Sequence, residues 1–230
     1  MASESTGKAW AGLFGRAGAR RGEAEEPLSL AQPAPSGSTY ATKALKKFLA
    51  TLTSRPDPVL LDLGPVIGSN VSFFGEQLGC KIFVEDVFAD IDRHERAGTT
   101  GELAALLAKR FTHAEGSIDG ILCWDLLDFL DPASAQVVAT ALSRMLAVDG
   151  ALLGFFSTAS ARDATFVKYV VVDDLNLRHR PYGPQRMRSR VLQNRDIIRL
   201  FERLRVSDSF LLQTNIREIL FRKPAYLSST

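Results

Sequence analysis

Val59-Leu60-Leu61-Asp62-Leu63-Gly64-Pro65-Val66-Ile67-Gly68-Ser69-Asn70 opens on a short apolar run and closes on a glycine turn. The run has the length of a buried strand, and Arg55-Pro56-Asp57-Pro58 stops any helix before it. Glycines let the chain turn sharply and approach a ligand closely, and the free amides of a helix starting there face the same spot. Ser69 is expected to cap that helix, which runs to Leu78 and is ended by Gly79. Upstream, Ala41, Ala44, Leu45, Phe48, Leu49 and Leu52 recur at helical spacing, with Ser38 or Thr39 as the expected cap.

Downstream the same alternation repeats. Lys81-Ile82-Phe83-Val84 reads as a second strand, closed by Glu85-Asp86. Residues 87–101 are polar and give no clear signal, whereas 102–111 read as a helix. Gly120-Ile121-Leu122-Cys123-Trp124 is an apolar strand ending at Asp125. Asp131 caps a helix with Pro132 at its first position, and Asp149-Gly150 is expected to end it before the strand Ala151–Phe156. Buried strands alternating with helices argue for a parallel sheet covered on both faces. The end departs from this pattern. Residues 166–192 read as a hairpin-like excursion, Asn194 as the cap of a helix reaching Leu204, and residues 210–212 and 219–221 as two strands. Strands so close in sequence must pair antiparallel, since a parallel crossover needs a dozen or more residues.

The bulk properties bound the function. At 230 residues and 46% hydrophobic, the chain suits one domain with an appendage. Residues 1–38, rich in Gly, Ala, Ser, Pro and charge, are expected to be a disordered tail, as are residues 225–230, leaving 39–224 as the domain. The two cysteines, Cys80 and Cys123, sit among apolar residues with no Cys/His cluster, and His94, His113 and His179 show no ligand spacing. No metal is therefore expected, and reduced thiols, no membrane-spanning run and no secretory signal pattern point to the cytoplasm. Net charge is only +2, but between Arg178 and Arg205 nine arginines face two acids.

In an open α/β sheet, ligands bind outside the carboxyl ends of the strands. Those ends carry the 64–70 turn, Glu85-Asp86 and Asp125. Glu85 lies 21 residues after Gly64, the spacing at which an acid can accept both hydroxyls of a ribose. The pattern Val59-Leu60-Leu61-Asp62-Leu63-Gly64-x-x-x-Gly68 resembles motif I of the class I S-adenosylmethionine-dependent methyltransferases. Residues 118–130 are similar to that family's fourth-strand motif, Asp149-Gly150-Ala151-Leu152-Leu153 to the turn into its fifth strand, and the chain end to its closing strand pair. The resemblance implies a three-layer α/β/α Rossmann-like sheet over residues 40–224, mostly parallel with an antiparallel C-terminal pair, in strand order 3-2-1-4-5-7-6. It implies S-adenosyl-L-methionine as cofactor, with Gly64 and Gly68 cradling its methionine part, Glu85 its ribose, Asp62, Asn70 and Asp86 around them, and Asp125 near the amino group or the substrate. The chain departs from the family at Val66, where the family has glycine and where φ > 0 would be costly, and at Pro65, which lacks an amide donor. No third strand with an adenine-reading acid stands out; Asp90 and Asp92 are candidate substitutes between which spacing does not decide.

Arg186, Arg188 and Arg190 alternate, so in an extended strand they share one face and can hold a phosphate or carboxylate group. That favours an anionic small-molecule acceptor over nucleic acid, because the patch is short and the total charge small. Asp125, His179 and Tyr182 are the candidates for proton handling. The rival expectation is a catalytically degenerate methyltransferase-like module that binds a partner through its tail and arginine edge. A nicotinamide dehydrogenase suits neither the glycine spacing nor the antiparallel ending.

Overall fold

The computed structural model describes Gly37 and residues 39–158, 167–181, 191–212 and 214–225. The N-terminal tail, Tyr182, Arg186, Arg188, Arg190 and residues 226–230 lie outside the described residues.

Strand β2 (Val59–Asp62) is the first buried strand of the main sheet, flanked by β3 (Lys81–Val84) and β4 (Ile118–Trp124), both parallel to it. β5 (Leu146–Ser157) follows parallel to β4, and β8 (Arg205–Leu211) and β9 (Ile216–Arg222) close the sheet antiparallel, giving the order β3-β2-β4-β5-β9-β8. This is the expected order without its outermost strand: among the described residues β3 is the edge on that side, and β8 the other. Between β3 and β4 the chain forms helices α3 (Val87–Ala97) and α4 (Leu103–Arg110). Asp86 caps α3 through Ala89 N–H at 3.1 Å, and Gly98 in the left-handed region (φ 68°) ends it, so the polar stretch is a helix that buries only Val87, Phe88, Asp90 and Ile91.

Each face of the sheet carries its own apolar layer. On one side, α4 and α5 (Pro132–Met145) bury Leu107, Val138, Leu142 and Met145 against Leu61, Ile121 and Leu152. On the other, α1 (Leu45–Thr53) sets Leu45, Phe48 and Leu52 against Leu60, Leu122 and Leu153. Asp131 caps α5 as expected, accepting from Ala133 and Ser134 N–H at 2.9 and 3.0 Å. Several boundaries differ from expectation. Helix α1 begins at Leu45 and not near Ser38, because Thr39–Ala41 is a strand, β1, and Glu218 Oε2 accepts the amides of Lys43 and Ala44 at 2.8 and 2.9 Å. The helix after the glycine turn is one α-turn, α2 (Gly68–Val71), passing into a π-turn at Ser72–Gln77, and Ser69 does not cap it. Helix α5 ends at Met145, and Asp149 (φ 58°) bends the long β5 strand.

The described part of the excursion is the hairpin β6 (Val167–Val171) and β7 (Asn176–Pro181). β1 adds to it antiparallel, making a second, three-stranded sheet in the order β1-β7-β6. Helix α6 (Asn194–Leu200) precedes β8; Gln193 and not Asn194 is its N-cap, it ends before Leu204, and β8 begins at Arg205, ahead of the expected residue 210.

Candidate active site at the carboxyl edge of the sheet

Parallel register aligns Asp62 with Val84 on one side and Leu122 on the other, so the chain leaves β2, β3 and β4 along one edge. This gathers the Gly64 turn, Glu85 and Asp125, as the spacing predicted. Each of these groups is engaged within the chain.

Asp62 is 5% exposed, and its Oδ1 accepts from Gly64 N–H at 2.9 Å and from Trp124 Nε1–H at 2.6 Å. Burial pushes its carboxyl up to about 6, against the opposing pull of those two hydrogen bonds. The indole lies so close to the turn that a Cβ on Gly64 would sit 3.0 Å from Trp124 Cδ1 and Nε1. Gly64 is thus required by an approaching ring of the chain itself. A Cβ on Gly68 would meet nothing within 4 Å. Val66, which stands where the family has glycine, is 63% exposed, and its φ is not positive. Asn70, buried, fastens α2 to the second sheet: its Nδ2–H donates to Tyr169 O at 2.8 Å and its Oδ1 accepts from Val171 N–H at 2.9 Å.

Glu85 Oε2 pairs with Arg110 Nη2 at 3.1 Å, and His113 Nε2 lies 3.9 Å from Oε1. The same guanidinium holds Asp90 through Nη1 at 2.6 Å, while Asp92 pairs with Arg96 at 2.9 Å. Asp86 is occupied as the cap of α3.

Asp125 is buried after β4 and opens a 3₁₀ turn in which its carbonyl accepts from Asp128 N–H at 3.1 Å. Its charge, after burial and together with that of Glu218, raises the pKa of the Tyr40 phenol, so the three groups share one region. Tyr40 Oη is 2.6 Å from His179 Nε2, and the two rings lie 4.2 Å apart. Burial lowers His179 to about 4, which keeps it neutral near pH 7 and makes it a weak base. His179 therefore serves as a hydrogen-bond partner of Tyr40 and is poorly matched to proton abstraction.

Sequence reasoning did not single out Tyr40, Tyr169, Arg110 or Glu218. Trp124 is buried, stacks parallel on Tyr169 (centroids 5.0 Å apart, 1° between planes) and meets Phe155 edge-on at 5.7 Å. Cavities of about 270, 510 and 330 Å³ open elsewhere, and none of the three is lined by Gly64, Glu85 or Asp125. Among the described residues no group of three or more His, Cys, Asp or Glu is placed to hold a metal, and no helix is long and apolar enough to cross a membrane.

No family model matches this chain, and no curated protein matches it in sequence. Solved structures do match in shape. An S-adenosylmethionine-dependent methyltransferase from Clostridium acetobutylicum superposes at a TM-score of 0.50 and 12% identity, covering 79% of this chain and 92% of that one. The glycopeptide N-methyltransferase MtfA, complexed with S-adenosyl-L-methionine, gives 0.45 and 13%, over 78% of this chain and 92% of that one. A Burkholderia thailandensis 1,6-didemethyltoxoflavin-N1-methyltransferase gives 0.43 and 16%, over 79% and 78%. The chain has the class I methyltransferase fold, in a form that lacks the outermost strand among the described residues.

Proposed function

We propose that this protein is an S-adenosylmethionine-dependent methyltransferase. The observation that supports this best is the gathering of the Gly64 turn, Glu85 and Asp125 along one carboxyl edge of a sheet of the methyltransferase order. Glu85, at the end of β3, is the carboxylate we assign to the ribose, and Arg110 pairs with it at 3.1 Å. Trp124 lies against Gly64 where a Cβ would sit, whereas the space at Gly68 is open. Arg186, Arg188 and Arg190, known from sequence alone, favour an anionic small-molecule acceptor over nucleic acid. Two free buried cysteines suit a reducing, cytoplasmic setting.

One observation favours a second reading, a degenerate module that binds a partner without catalysis. Asp62, Asn70, Glu85 and Asp86 are all engaged by other groups of the chain. Thermal unfolding with S-adenosylmethionine, with S-adenosylhomocysteine and with NAD as control separates the two. A ligand at 100 times its dissociation constant stabilises by about 2.7 kcal/mol, or about 5–11 °C for a chain of this length. A shift with the adenosyl ligands alone supports the enzyme; no shift at millimolar ligand leaves the module.

A further inference from the structure

We propose that the cavity of about 270 Å³ between β1 and the β8–β9 turn binds a small organic acid with an apolar body, its anionic group held at the mouth by Lys43. The binding site stands on its own observations. That its occupant is the methyl acceptor rests on the methyltransferase reading above.

Three observations converge on this cavity. The first is a break in a strand pattern. β8 alternates, and its exposed positions hold Arg205, Ser207 and Ser209, polar as a solvent face requires, until Leu211, which is 61% exposed. Leu211 borders the cavity together with Leu212 and Tyr40, whose hydroxyl is already 2.6 Å from His179 Nε2. A leucine left in water carries a cost that a bound apolar body removes. The second is a cation without an acid. Lys46 pairs with Asp174 at 3.7 Å and Lys47 pairs with Asp208. Lys43 is exposed, is the one charged residue lining the cavity, and has no acid within ion-pair distance among the described residues. The third is position. Leu212 N–H donates to Ile216 O at 2.9 Å and Thr158 N–H donates to Asn215 O at 2.8 Å, so the β8–β9 turn is tied to the end of β5. The cavity therefore opens on the carboxyl edge at the β8 end of the sheet, with Glu85 at the β3 end and Asp125, after β4, between them.

The lining sets both the ligand and its orientation. Pockets for drug-sized molecules begin near about 300 Å³, so the occupant is smaller than these. Glu218 is fully buried, with Oε2 on the amides of Lys43 and Ala44 and Oε1 without a hydrogen-bond partner. After burial itself, the charges of Asp125 and Glu218 keep the Tyr40 phenol protonated. Negative charge thus lies behind Tyr40, where low dielectric strengthens its repulsion of an anion, while Lys43 stands on the solvent side. An acid enters with its apolar body inward, against Tyr40, Leu211 and Leu212. Its anionic group stays outward, against the Lys43 ammonium and the Thr214 hydroxyl.

Calorimetry on the full chain tests this with octanoate, 4-phenylbutyrate and octylamine, the last carrying the octanoate body with the opposite charge. At least one of the two acids should bind saturably, one per chain, and about fivefold or more tighter than the amine. Lys43→Gln should weaken the acid about fivefold, the affinity equivalent of an exposed ion pair at the top of its range, and should not weaken the amine. Leu211→Asp, at an exposed position that spares the core, should weaken the acid about tenfold or more. Circular dichroism checks that both variants keep the wild-type fold. No binding of either acid at millimolar concentration, tighter binding of the amine, or wild-type affinity in both variants overturns the proposal. The acceptor role is read separately, by titrating the acid into protein saturated with S-adenosylhomocysteine, beside which an acceptor must still bind. If S-adenosylhomocysteine binds and neither acid does, the cavity proposal falls and the methyltransferase reading stands. If an acid binds and S-adenosylhomocysteine does not, the site stands and its acceptor role falls with that reading.

Discussion

Replacing Asp62 with asparagine should stabilise the protein at neutral pH, which is unusual for a residue at the centre of a binding motif. Burial raises the Asp62 carboxyl from its ordinary 3.8 to about 6. Because the folded value lies above the unfolded one, the fold favours the protonated form. That contribution is fully present below the unfolded value and is lost as pH rises through about 6. Near pH 7.5 the ionised carboxylate therefore costs about 3 kcal/mol relative to a neutral group, at about 1.4 kcal/mol per unit of pKa. Asparagine keeps an oxygen for Gly64 N–H and Trp124 Nε1–H and carries no charge. Urea unfolding of wild type and Asp62→Asn should show the variant more stable by about 2–3 kcal/mol near pH 7.5, by roughly half of that near pH 5, and by nearly nothing below about pH 4. A gap that does not change with pH, or a wild type that is the more stable protein near pH 7.5, would refute the reasoning, since it would mean that Asp62 ionises in the folded state without cost. The same variant should lose affinity for S-adenosylmethionine if the motif acid serves the cofactor, separating the demands of function from those of stability.

Other substitutions probe the same edge and its supports. Gly64→Ala places a methyl 3.0 Å from the Trp124 ring and 3.2 Å from Asp62 Oδ1, and should cost about 1–3 kcal/mol by urea unfolding; a neutral result would show that the indole yields freely. Gly120→Ala sets its methyl 2.7 Å from Leu52 Cδ2 and 2.9 Å from Phe48 Cζ, and a similar loss is expected, with reduced packing of α1 visible by near-UV circular dichroism. Arg110→Ala takes from Glu85 and buried Asp90 the cation they share, while Arg93 stays 3.1 Å from Asp90 Oδ1, and should lower stability by about 1–2 kcal/mol; Arg110→Lys should restore only part, because one ammonium cannot reproduce the fork. Asp131→Ala removes the α5 cap at a cost of about 1 kcal/mol near neutral pH. Hydrogen bonds from Ser134 and Ala133 lower the Asp131 pKa, so the difference should shrink as pH falls through and below the carboxylate range.

The parallel strands are legible in sequence because burial on both faces turns them into continuous apolar runs, as at 59–61 and 120–124. The Asp131-Pro132 start of α5 is legible because a cap and a proline at the first position are local chemistry. Helix α3 is not, since eleven residues bury only four and the rest read as loop; Asp86 and Gly98, which bound it, were the available signal. Strand β1 hides in the helical spacing that begins at Ala41, because its reason to extend is β7, far along the chain. At the site, the positions of Gly64, Glu85 and Asp125 follow from strand ends and spacing. Their engagement does not. Trp124 turns toward Asp62 through a left-handed residue at the end of β4, and Arg110 reaches two acids from the end of α4; neither direction leaves a periodic trace.

The small sheet has a consequence for how the protein assembles. Tyr40 meets His179 across 139 residues of chain, so β1 can dock only after most of the polypeptide has been brought together, whereas the β6–β7 hairpin closes locally. We expect β1 to be the last strand to join during folding and, with its two outer residues exposed, the first to leave in native-state fluctuations. Amide exchange at the β1–β7 pairing should then outrun exchange in β2 and β4 by orders of magnitude. Fraying of these three residues would part Tyr40 from His179 and leave the β6–β7 hairpin without its third strand.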